Sequence, residues 1–270
     1  MIYKERITYN FLYEKENLLY IQKYIKELYT FLLIYTTISY SNKEIGMKQL
    51  NAEEFFEKIY PEVVGKFGKI IFELNSIKVT INTKDSIGHM LQDWIEAWAE
   101  QNNIYIRANP STQEFPDFYL SESDEENLLE IKSFDFNASP NFDIANFDTY
   151  VRSLLDSPKK LDAYYLVFGY SLDNGEIKIE GLWLKRIWEL ATTSGSWDLK
   201  LQVKQGTIYN IRPVNFVSKR TNIAQPFKNK LEFLEAIQNV LDQYEKTKDS
   251  HSNWLHDFKT VYKDATGISL

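Results

Sequence analysis

The sequence contains no cysteine and only three histidines, and both shortages exclude several kinds of active site. Without cysteine there can be no disulfide, no thiolate metal ligand and no cysteine nucleophile. His89, His251 and His256 offer little material for a multi-histidine zinc centre or a histidine-based triad. Catalysis in this chain would therefore have to rest on other side chains, above all on carboxylates and lysines.

Long hydrophobic runs are also lacking. The longest apolar stretch, residues 29–40, is about half of the roughly 20 residues that a membrane-spanning helix needs. The charged N-terminal residues do not have the pattern of a secretory signal. The sequence therefore predicts a soluble, cytoplasmic protein with no membrane partner.

Helical and strand patterns alternate along the chain, which predicts a mixed α/β fold around one central sheet. Residues 1–46 are predicted to form an N-terminal helical arm, and residues 47–270 are predicted to form one domain. The whole chain is 44% hydrophobic, which is enough for this domain to build a core. The predicted helices of this domain cover residues 51–60, 86–101, 143–155, 185–192 and, as the last one, 229–246. The predicted strands cover residues 104–108, 128–134, 161–172 and 177–184, with a hairpin over 69–84 that turns at Asn75 and Ser76.

One stretch, FPDFYLSESDEENLLEIKSF at residues 115–134, carries charged residues into a segment that otherwise reads as buried strand. Because strand side chains alternate between faces, Glu130 and Lys132 project from the same face. If the residues after Asp117 pair with this strand, its carboxylate can approach that face. The sequence therefore predicts two carboxylates and one ammonium side by side.

Two neighbouring carboxylates repel each other unless a cation or a proton intervenes. Oxygen ligands favour Mg²⁺, with Mn²⁺ able to substitute, and such a centre suits hydrolysis of a phosphodiester bond. A lysine beside it can orient the attacking water or neutralise charge that develops. In the alternative interpretation, Asp117 only ends a strand and Glu130 and Lys132 form an exposed pair on an edge strand.

The spacing of these residues, Pro116-Asp117 followed by Glu130-Ile131-Lys132, resembles the PD-(D/E)xK signature of type II restriction endonucleases and related nucleases. More loosely, the run from residue 47 to 230 is similar to the NgoBV/NlaIV-like group of these enzymes. The resemblance implies a restriction-endonuclease-like core that hydrolyses double-stranded DNA at a GGNNCC-type palindrome.

The resemblance also implies roles for individual residues. Asp117 and Glu130 would be metal ligands, with a further contact from the carbonyl of Ile131, and Lys132 would act on the attacking water. Family members often add a carboxylate from the preceding helix, and Glu96 is the matching residue, with Gln92 one turn earlier. Cutting both strands of a palindrome calls for a homodimer, and a companion DNA methyltransferase would act on the same site.

A net charge of −7 hides a strongly basic segment, residues 199–231, which holds seven lysines and arginines and no acid. Local charge decides whether a polyanion can bind, so this segment is the predicted DNA-recognition region, although a merely solvated surface is the alternative. The candidate DNA contacts within it, to phosphates or to base edges, are Lys204, Arg212, Lys219, Arg220, Asn222, Gln225 and Lys228. Residues 192–198 and 139–141 are further candidates.

Three other functions stay open at this point, and one of them is a helical interaction protein built around the tyrosine-rich arm of residues 1–46. A repair or junction nuclease would share the same core but would recognise DNA structure rather than a sequence. A non-catalytic DNA-binding protein would keep the fold and lose the chemistry, although the presence of Asp117, Glu130 and Lys132 argues against such decay.

Overall fold

The computed structural model describes residues 46–111, 114–220, 222–247 and 251–270. The chain divides into two units, Met1–Lys48 and Gln49–Leu270. The helices predicted for the N-terminal arm lie outside the described residues, so the arm and its boundary at residue 46 stay a prediction.

The helices of the second unit are α1 (Ala52–Val63), α2 (Ile87–Gln101), α3 (Phe147–Asp156), α4 (Ile187–Leu190), α5 (Lys230–Gln243) and α6 (Trp254–Thr266), with a 3₁₀ helix at Pro158–Asp162. Helix α1 begins as the sequence predicts, because the Asn51 side chain accepts a hydrogen bond from the Glu54 N–H and the Glu54 carboxylate accepts one from the Asn51 N–H. No helix within the described residues has the length and apolar content to span a membrane.

The strands are β1 (Phe67–Lys69), β2 (Ile71–Leu74), β3 (Ile77–Thr80), β4 (Arg107–Ala108), β5 (Phe118–Tyr119), β6 (Leu128–Asp135), β7 (Ala145–Asn146), β8 (Tyr164–Asp173), β9 (Glu176–Arg186), β10 (Leu201–Lys204) and β11 (Thr207–Ile211). Six of them form one sheet in the order β1-β9-β8-β6-β5-β4. Strands β6 and β8 are parallel, whereas all other neighbours in this sheet are antiparallel. The predicted mixed α/β class is confirmed.

Helices cover the sheet on both faces. Because side chains alternate along β6, successive residues of this strand pack against different faces. Leu129 and Ile131 pack into a core that α1 and α2 complete. Phe134, from the opposite face of the strand, packs into a second core with α3, α5 and α6. Glu130 and Lys132 share the face of Phe134, so they lie on the side of α3.

Two tight turns match their sequence signals. Asn75 and Ser76 join β2 to β3 with positive φ, and Asn174 and Gly175 do the same between β8 and β9. A turn with two consecutive positive φ values matches the right-handed twist of the flanking strands. Asn and Gly adopt positive φ more readily than other residues, so they are common in such turns.

Several predicted boundaries are wrong because tertiary pairing outweighs local pattern. Only Arg107–Ala108 of the predicted 104–108 strand pairs with β5. The helix predicted from residue 143 begins at Phe147, since Ala145–Asn146 pair with β11 and the Asn146 side chain caps the helix at Thr149 N–H.

The helix predicted over 229–246 ends at Gln243 and is not the last one, because α6 follows it. Trp254, Phe258 and Tyr262 recur at four-residue spacing and are fully buried, so the signal for α6 is present in the sequence. In α2, Trp98 is buried, whereas Trp94, one turn earlier, is 40% exposed.

Candidate active site

The pairing of β5 with β6 brings Asp117 to Glu130. Phe118 lies opposite Leu129, so Asp117, one residue earlier, falls opposite Glu130. The Asp117 N–H donates to Glu130 Oε2 at 3.1 Å, and the Ile131 N–H donates to Asp117 Oδ2 at 2.7 Å. Two carboxylates thus lie side by side where β5 begins beside β6, and each accepts a hydrogen bond from the backbone of the other's strand.

Lys132 completes the cluster from the next position on the same face of β6. Its Nζ donates to Glu130 Oε1 at 2.8 Å, and both side chains are largely withdrawn from solvent. The Ile131 N–H points to Asp117, and the N–H and C=O of one strand residue face the same edge. The Ile131 carbonyl therefore also faces the edge where Asp117 lies.

Burial makes the two carboxylates of this cluster weak acids. Burial, reinforced by the charge of Asp117, raises the pKa of Glu130 to about 7, although Lys132 acts in the opposite direction. Burial also raises the pKa of Asp117, against the hydrogen bond from the Ile131 N–H and the charge of Lys132. Groups that hold protons this firmly are groups that a cation would stabilise in their charged form.

Lys132 stays charged in this setting. Burial acts to lower the pKa of Lys132, but the charge of Glu130, its hydrogen bond with Lys132 and the charge of Asp117 outweigh burial, so the pKa lies above its ordinary value. The cluster therefore presents a permanent ammonium beside two carboxylates.

Helix α2 contacts this cluster through Gln92 rather than through Glu96. The Gln92 side chain lies close enough to the Asp117 carboxylate to lower its pKa, and the charge of the exposed His89 lowers it slightly as well. Glu96 lies one turn further along and is exposed. Across the described ranges no three His, Cys, Asp or Glu side chains gather closely enough to hold a metal ion, so Glu96 does not join the pair in this structure.

A tyrosine that sequence reasoning missed lies next to Glu130. Tyr165 pairs with Glu130 in the parallel β6–β8 ladder, so their side chains share a face. Burial raises the pKa of Tyr165 well above its ordinary value, and the charges of Tyr150, Glu130 and Asp117 add to the effect. Its hydroxyl has no hydrogen-bond partner within the described part of the chain. Nothing in the local sequence distinguishes this residue from an ordinary core tyrosine.

Comparisons with known proteins identify the family of this chain. The sequence model of the NgoBV restriction endonuclease family matches residues 49–270. This chain belongs to that family.

Two relatives and one solved structure show how far the likeness extends. The type II restriction enzyme NlaIV of Neisseria lactamica is 35% identical over 221 residues, which is 80% of this chain and 91% of that protein. The type II restriction enzyme NgoBV of Neisseria gonorrhoeae is 32% identical over 163 residues, 59% of this chain and 93% of the other. The structure of NlaIV restriction endonuclease superposes with a TM-score of 0.78 at 34% identity, covering 83% of this chain and 93% of that one.

Membership in the NgoBV family settles the class of the protein and the fold of its core. Its relatives are type II restriction enzymes, so this chain is a site-specific deoxyribonuclease with a restriction-endonuclease fold. Enzymes of this type generally need a divalent metal. The donor set fits that need, because two adjacent carboxylates and a backbone carbonyl are hard oxygen ligands, and Mg²⁺ typically takes one or two carboxylates and completes its shell with water and phosphate.

In this family member, residues 139–143, which follow β6, connect the cluster of Asp117, Glu130 and Lys132 to the basic segment. Arg212 forms an ion pair with Asp143 and donates a second hydrogen bond to the Asn141 carbonyl. The charge of Asp143 in turn raises the pKa of Lys132. Asn215 donates to the Ser139 hydroxyl at 3.0 Å. The candidate residues 139–141 are thus held by the basic segment.

The seven cations of the basic segment fall into two groups. Three are engaged by the fold: Arg212 through Asp143, Lys200 through the Pro213 carbonyl at 2.7 Å, and Lys230 through Asp162. The other four are exposed: Lys204, Lys219, Arg220 and Lys228. Counting charges in the sequence does not separate the two groups, because the engaged cations meet partners from 13 to 69 positions away along the chain.

The two amide residues predicted as DNA contacts, Asn222 and Gln225, are also exposed. The backbone carbonyl of Gln225 accepts a hydrogen bond from the Thr192 hydroxyl at 2.6 Å, and Thr192 forms a β-bridge with Pro226. The candidate loop that begins at Thr192 is therefore attached to the same exposed region.

Proposed function

We propose that this chain hydrolyses the phosphodiester bonds of double-stranded DNA in a Mg²⁺-dependent reaction, with Mn²⁺ able to substitute. The observation that carries the proposal is the juxtaposition of Asp117 and Glu130, whose carboxylates lie next to each other and beside a charged lysine where β5 begins. A buried pair of carboxylates with raised pKa values costs stability unless it has a cation to hold.

Asp117, Glu130 and the Ile131 carbonyl would hold the metal ion. When bound, the ion supplies positive charge at the scissile phosphate and acidifies the attacking water. Lys132 would orient that water and neutralise charge that develops on the phosphate, a role that its persistent positive charge supports. Glu96 is proposed as an auxiliary ligand, although it would have to move toward the pair, and Gln92, which lies near the Asp117 carboxylate, would help to position it.

DNA would bind along the basic segment. The exposed cations suit contacts to phosphates, and Arg220, Asn222 and Gln225 suit contacts to base edges in the major groove. Arg212 is also proposed to bind phosphate, but it must first leave Asp143 and Asn141. The DNA contacts that we propose are Lys204, Arg212, Lys219, Arg220, Asn222, Gln225 and Lys228.

The GGNNCC-type target is proposed from the resemblance to the NgoBV and NlaIV group. A palindrome that is cut on both strands requires two active sites related by a twofold axis, so we propose a homodimer. A DNA methyltransferase that protects the same sequence would accompany a nuclease of this kind, and a cytoplasmic location would suit an enzyme that acts on cellular DNA.

Digestion of a mapped plasmid with Mg²⁺, followed by sequencing of the ends, tests the proposal. Discrete fragments whose ends fall within GGNNCC sites are expected. Fragments that end at another sequence would overturn the proposed target, and cleavage confined to branched DNA would favour a repair or junction nuclease. Specific binding without cleavage in either Mg²⁺ or Mn²⁺ would favour a non-catalytic DNA-binding protein.

A further inference from the structure

Tyr165 lies in one row with the two candidate metal ligands. Asp117 falls opposite Glu130 where β5 begins, and Glu130 pairs with Tyr165 in the parallel β6–β8 ladder. Paired residues of neighbouring strands project from the same face, and the strands lie about 4.8 Å apart. The three side chains therefore share one face of the sheet, with Glu130 in the middle.

The ring of Tyr165 meets a second ring on the face of β6. Its centroid lies 6.0 Å from the ring centroid of Phe115, which precedes Asp117 by two residues. Strand β6 lies between β8, which carries Tyr165, and β5, which Phe115 precedes. Because the two rings approach each other from opposite sides of β6, Tyr165 extends toward the position of Glu130.

The hydroxyl of Tyr165 is buried and has no hydrogen-bond partner. The residue is 0% exposed, and its hydroxyl makes no hydrogen bond within the described part of the chain. A buried hydroxyl without a hydrogen bond destabilises the folded state, whereas a phenylalanine would fill the same space without this penalty. The hydroxyl therefore fits a state of the protein in which it has a partner.

The Glu130 carboxylate can accept a further hydrogen bond. Its Oε1 accepts one from Lys132 Nζ at 2.8 Å, and its Oε2 accepts one from the Asp117 N–H at 3.1 Å. A carboxylate has about four acceptor positions. Glu130 is also the direct neighbour of Tyr165 in the ladder, whereas Asp117 lies one strand further away.

Tyr165 can act on this carboxylate only as a donor, because it stays neutral. Burial raises the pKa of Tyr165 well above its ordinary value, and the charges of Tyr150, Glu130 and Asp117 add to the effect. A hydrogen bond donated to a carboxylate stabilises its charged form. Metal ligation requires that charged form.

We propose that Tyr165 is a positioning residue of this nuclease, whose hydroxyl donates a hydrogen bond to the Glu130 carboxylate when that carboxylate holds a metal ion. The proposal rests on the proposed function, in which Asp117 and Glu130 share the ion, and it adds a residue of β8 to the site. The hydrogen bond would keep Glu130 in its ligating orientation, as the hydrogen-bond partners of metal ligands commonly do.

Tyr150 on α3 provides a matched control. It is a second buried tyrosine, 4% exposed, whose hydroxyl also makes no hydrogen bond within the described ranges. Burial raises the pKa of Tyr150, and the charge that adds to this effect is that of Asp162 rather than of Glu130 or Asp117. Loss of this hydroxyl should therefore leave the metal site unchanged.

The test compares Mn²⁺ binding, measured by electron paramagnetic resonance, between the full-length wild-type chain, Tyr165→Phe and Tyr150→Phe. Tyr165→Phe should lower the affinity for Mn²⁺ by about tenfold or more, whereas Tyr150→Phe should keep the wild-type affinity. Thermal unfolding without metal should show no loss of stability in either variant, because neither hydroxyl has a partner to lose among the described residues.

Single-turnover cleavage at several Mn²⁺ concentrations adds a readout that a role in folding would not change. Because Tyr165 acts through a metal ligand, saturating Mn²⁺ should return the cleavage rate of Tyr165→Phe to the wild-type value. A rate that stays low at saturating Mn²⁺ would contradict a role in metal binding.

Three other results would overturn the proposal. The first is wild-type Mn²⁺ affinity in Tyr165→Phe, and the second is an equal loss of affinity in Tyr150→Phe. The third is a clearly lower unfolding temperature of Tyr165→Phe without metal, which would assign the hydroxyl to the stability of the fold.

Plasmid cleavage by the same preparations separates this proposal from the proposed function. A wild-type chain that cuts DNA, together with Tyr165→Phe that binds Mn²⁺ normally, overturns the role of Tyr165 and leaves the nuclease function standing. A wild-type chain that binds Mn²⁺ more tightly than Tyr165→Phe but cuts no DNA supports the role of Tyr165 and contradicts the function.

Discussion

The candidate catalytic cluster and the basic segment are built in opposite ways. Asp117, Glu130 and Lys132 are withdrawn from solvent and held by contacts among themselves and with the strand backbone. The exposed cations of residues 199–231 lie on loops and strand ends, and no salt bridge to them is found within the described residues. The proposed catalytic site is thus held in place by the fold, whereas the proposed DNA contacts are exposed side chains, which is the division expected when precise positioning matters most for catalysis.

The contrast predicts that Lys132→Ala separates cleavage from binding. Loss of the ammonium should lower the single-turnover cleavage rate by about 1,000-fold or more, because no other cation of the described residues makes a salt bridge with Glu130. Specific DNA binding, measured by fluorescence anisotropy in Ca²⁺, should change little.

Lys159→Ala serves as the matched control, since within the described ranges Lys159 forms salt bridges only with Glu125 and Glu126 in the polar turn. Near-normal cleavage by Lys132→Ala would contradict the role that we propose for Lys132. Equal loss in the Lys159 control would show that the defect comes from the fold.

Affinity for Mg²⁺ should depend on pH through Glu130. A raised pKa of about 7 means that the neutral, protonated form prevails below that pH, and a carboxylate must lose its proton before it ligates a metal. The Mg²⁺ concentration for half-maximal cleavage should therefore rise about tenfold per pH unit below pH 7 and level off above pH 8.

Single-turnover rates in Mg²⁺ titrations at several pH values measure this dependence. Saturating Mg²⁺ should remove most of the pH effect, because bound metal displaces the proton. A half-saturating concentration that does not change between pH 6 and pH 8 would show that Glu130 does not compete with protons for the ion.

On the basic segment, Arg220→Ala should weaken DNA binding more than Arg212→Ala does. Arg220 is exposed, whereas Arg212 must leave Asp143 and Asn141 before it reaches DNA. Loss of one direct contact should cost about tenfold in affinity or reduce the slope of log affinity against log salt by about 1. Binding titrations at several salt concentrations measure both the affinity and the slope. A larger effect from Arg212→Ala than from Arg220→Ala would contradict the view that Arg212 is engaged by the fold and Arg220 is free to contact DNA.

The sequence predicts the cluster more fully than it predicts its surroundings. A strand period of two places Glu130 and Lys132 on one face, and the proline and aspartate at 116 and 117 place the second carboxylate, so local pattern was sufficient. The Asn174-Gly175 turn was equally local, since its positive φ values favour these residues.

Contacts between distant segments could not be read from local pattern. Gln92 rather than Glu96 lies near Asp117, although helical spacing alone places both on one side of α2. Asp143 and Arg212 are 69 positions apart, so local sequence pattern does not predict that they pair. It therefore does not predict either that Arg212 is engaged by the fold while other cations of the segment are exposed. Helix α6 is a different case, since its buried stripe was present in the sequence and was overlooked.

The most direct test of the account is Mn²⁺ binding, measured by electron paramagnetic resonance, to the wild-type chain, Asp117→Asn, Glu130→Gln and the control Glu114→Gln. If Asp117 and Glu130 share one ion, each of the first two variants should lose more than about tenfold in affinity at the same site, and the exposed Glu114 should not matter. Wild-type Mn²⁺ affinity in either Asp117→Asn or Glu130→Gln would contradict the shared site.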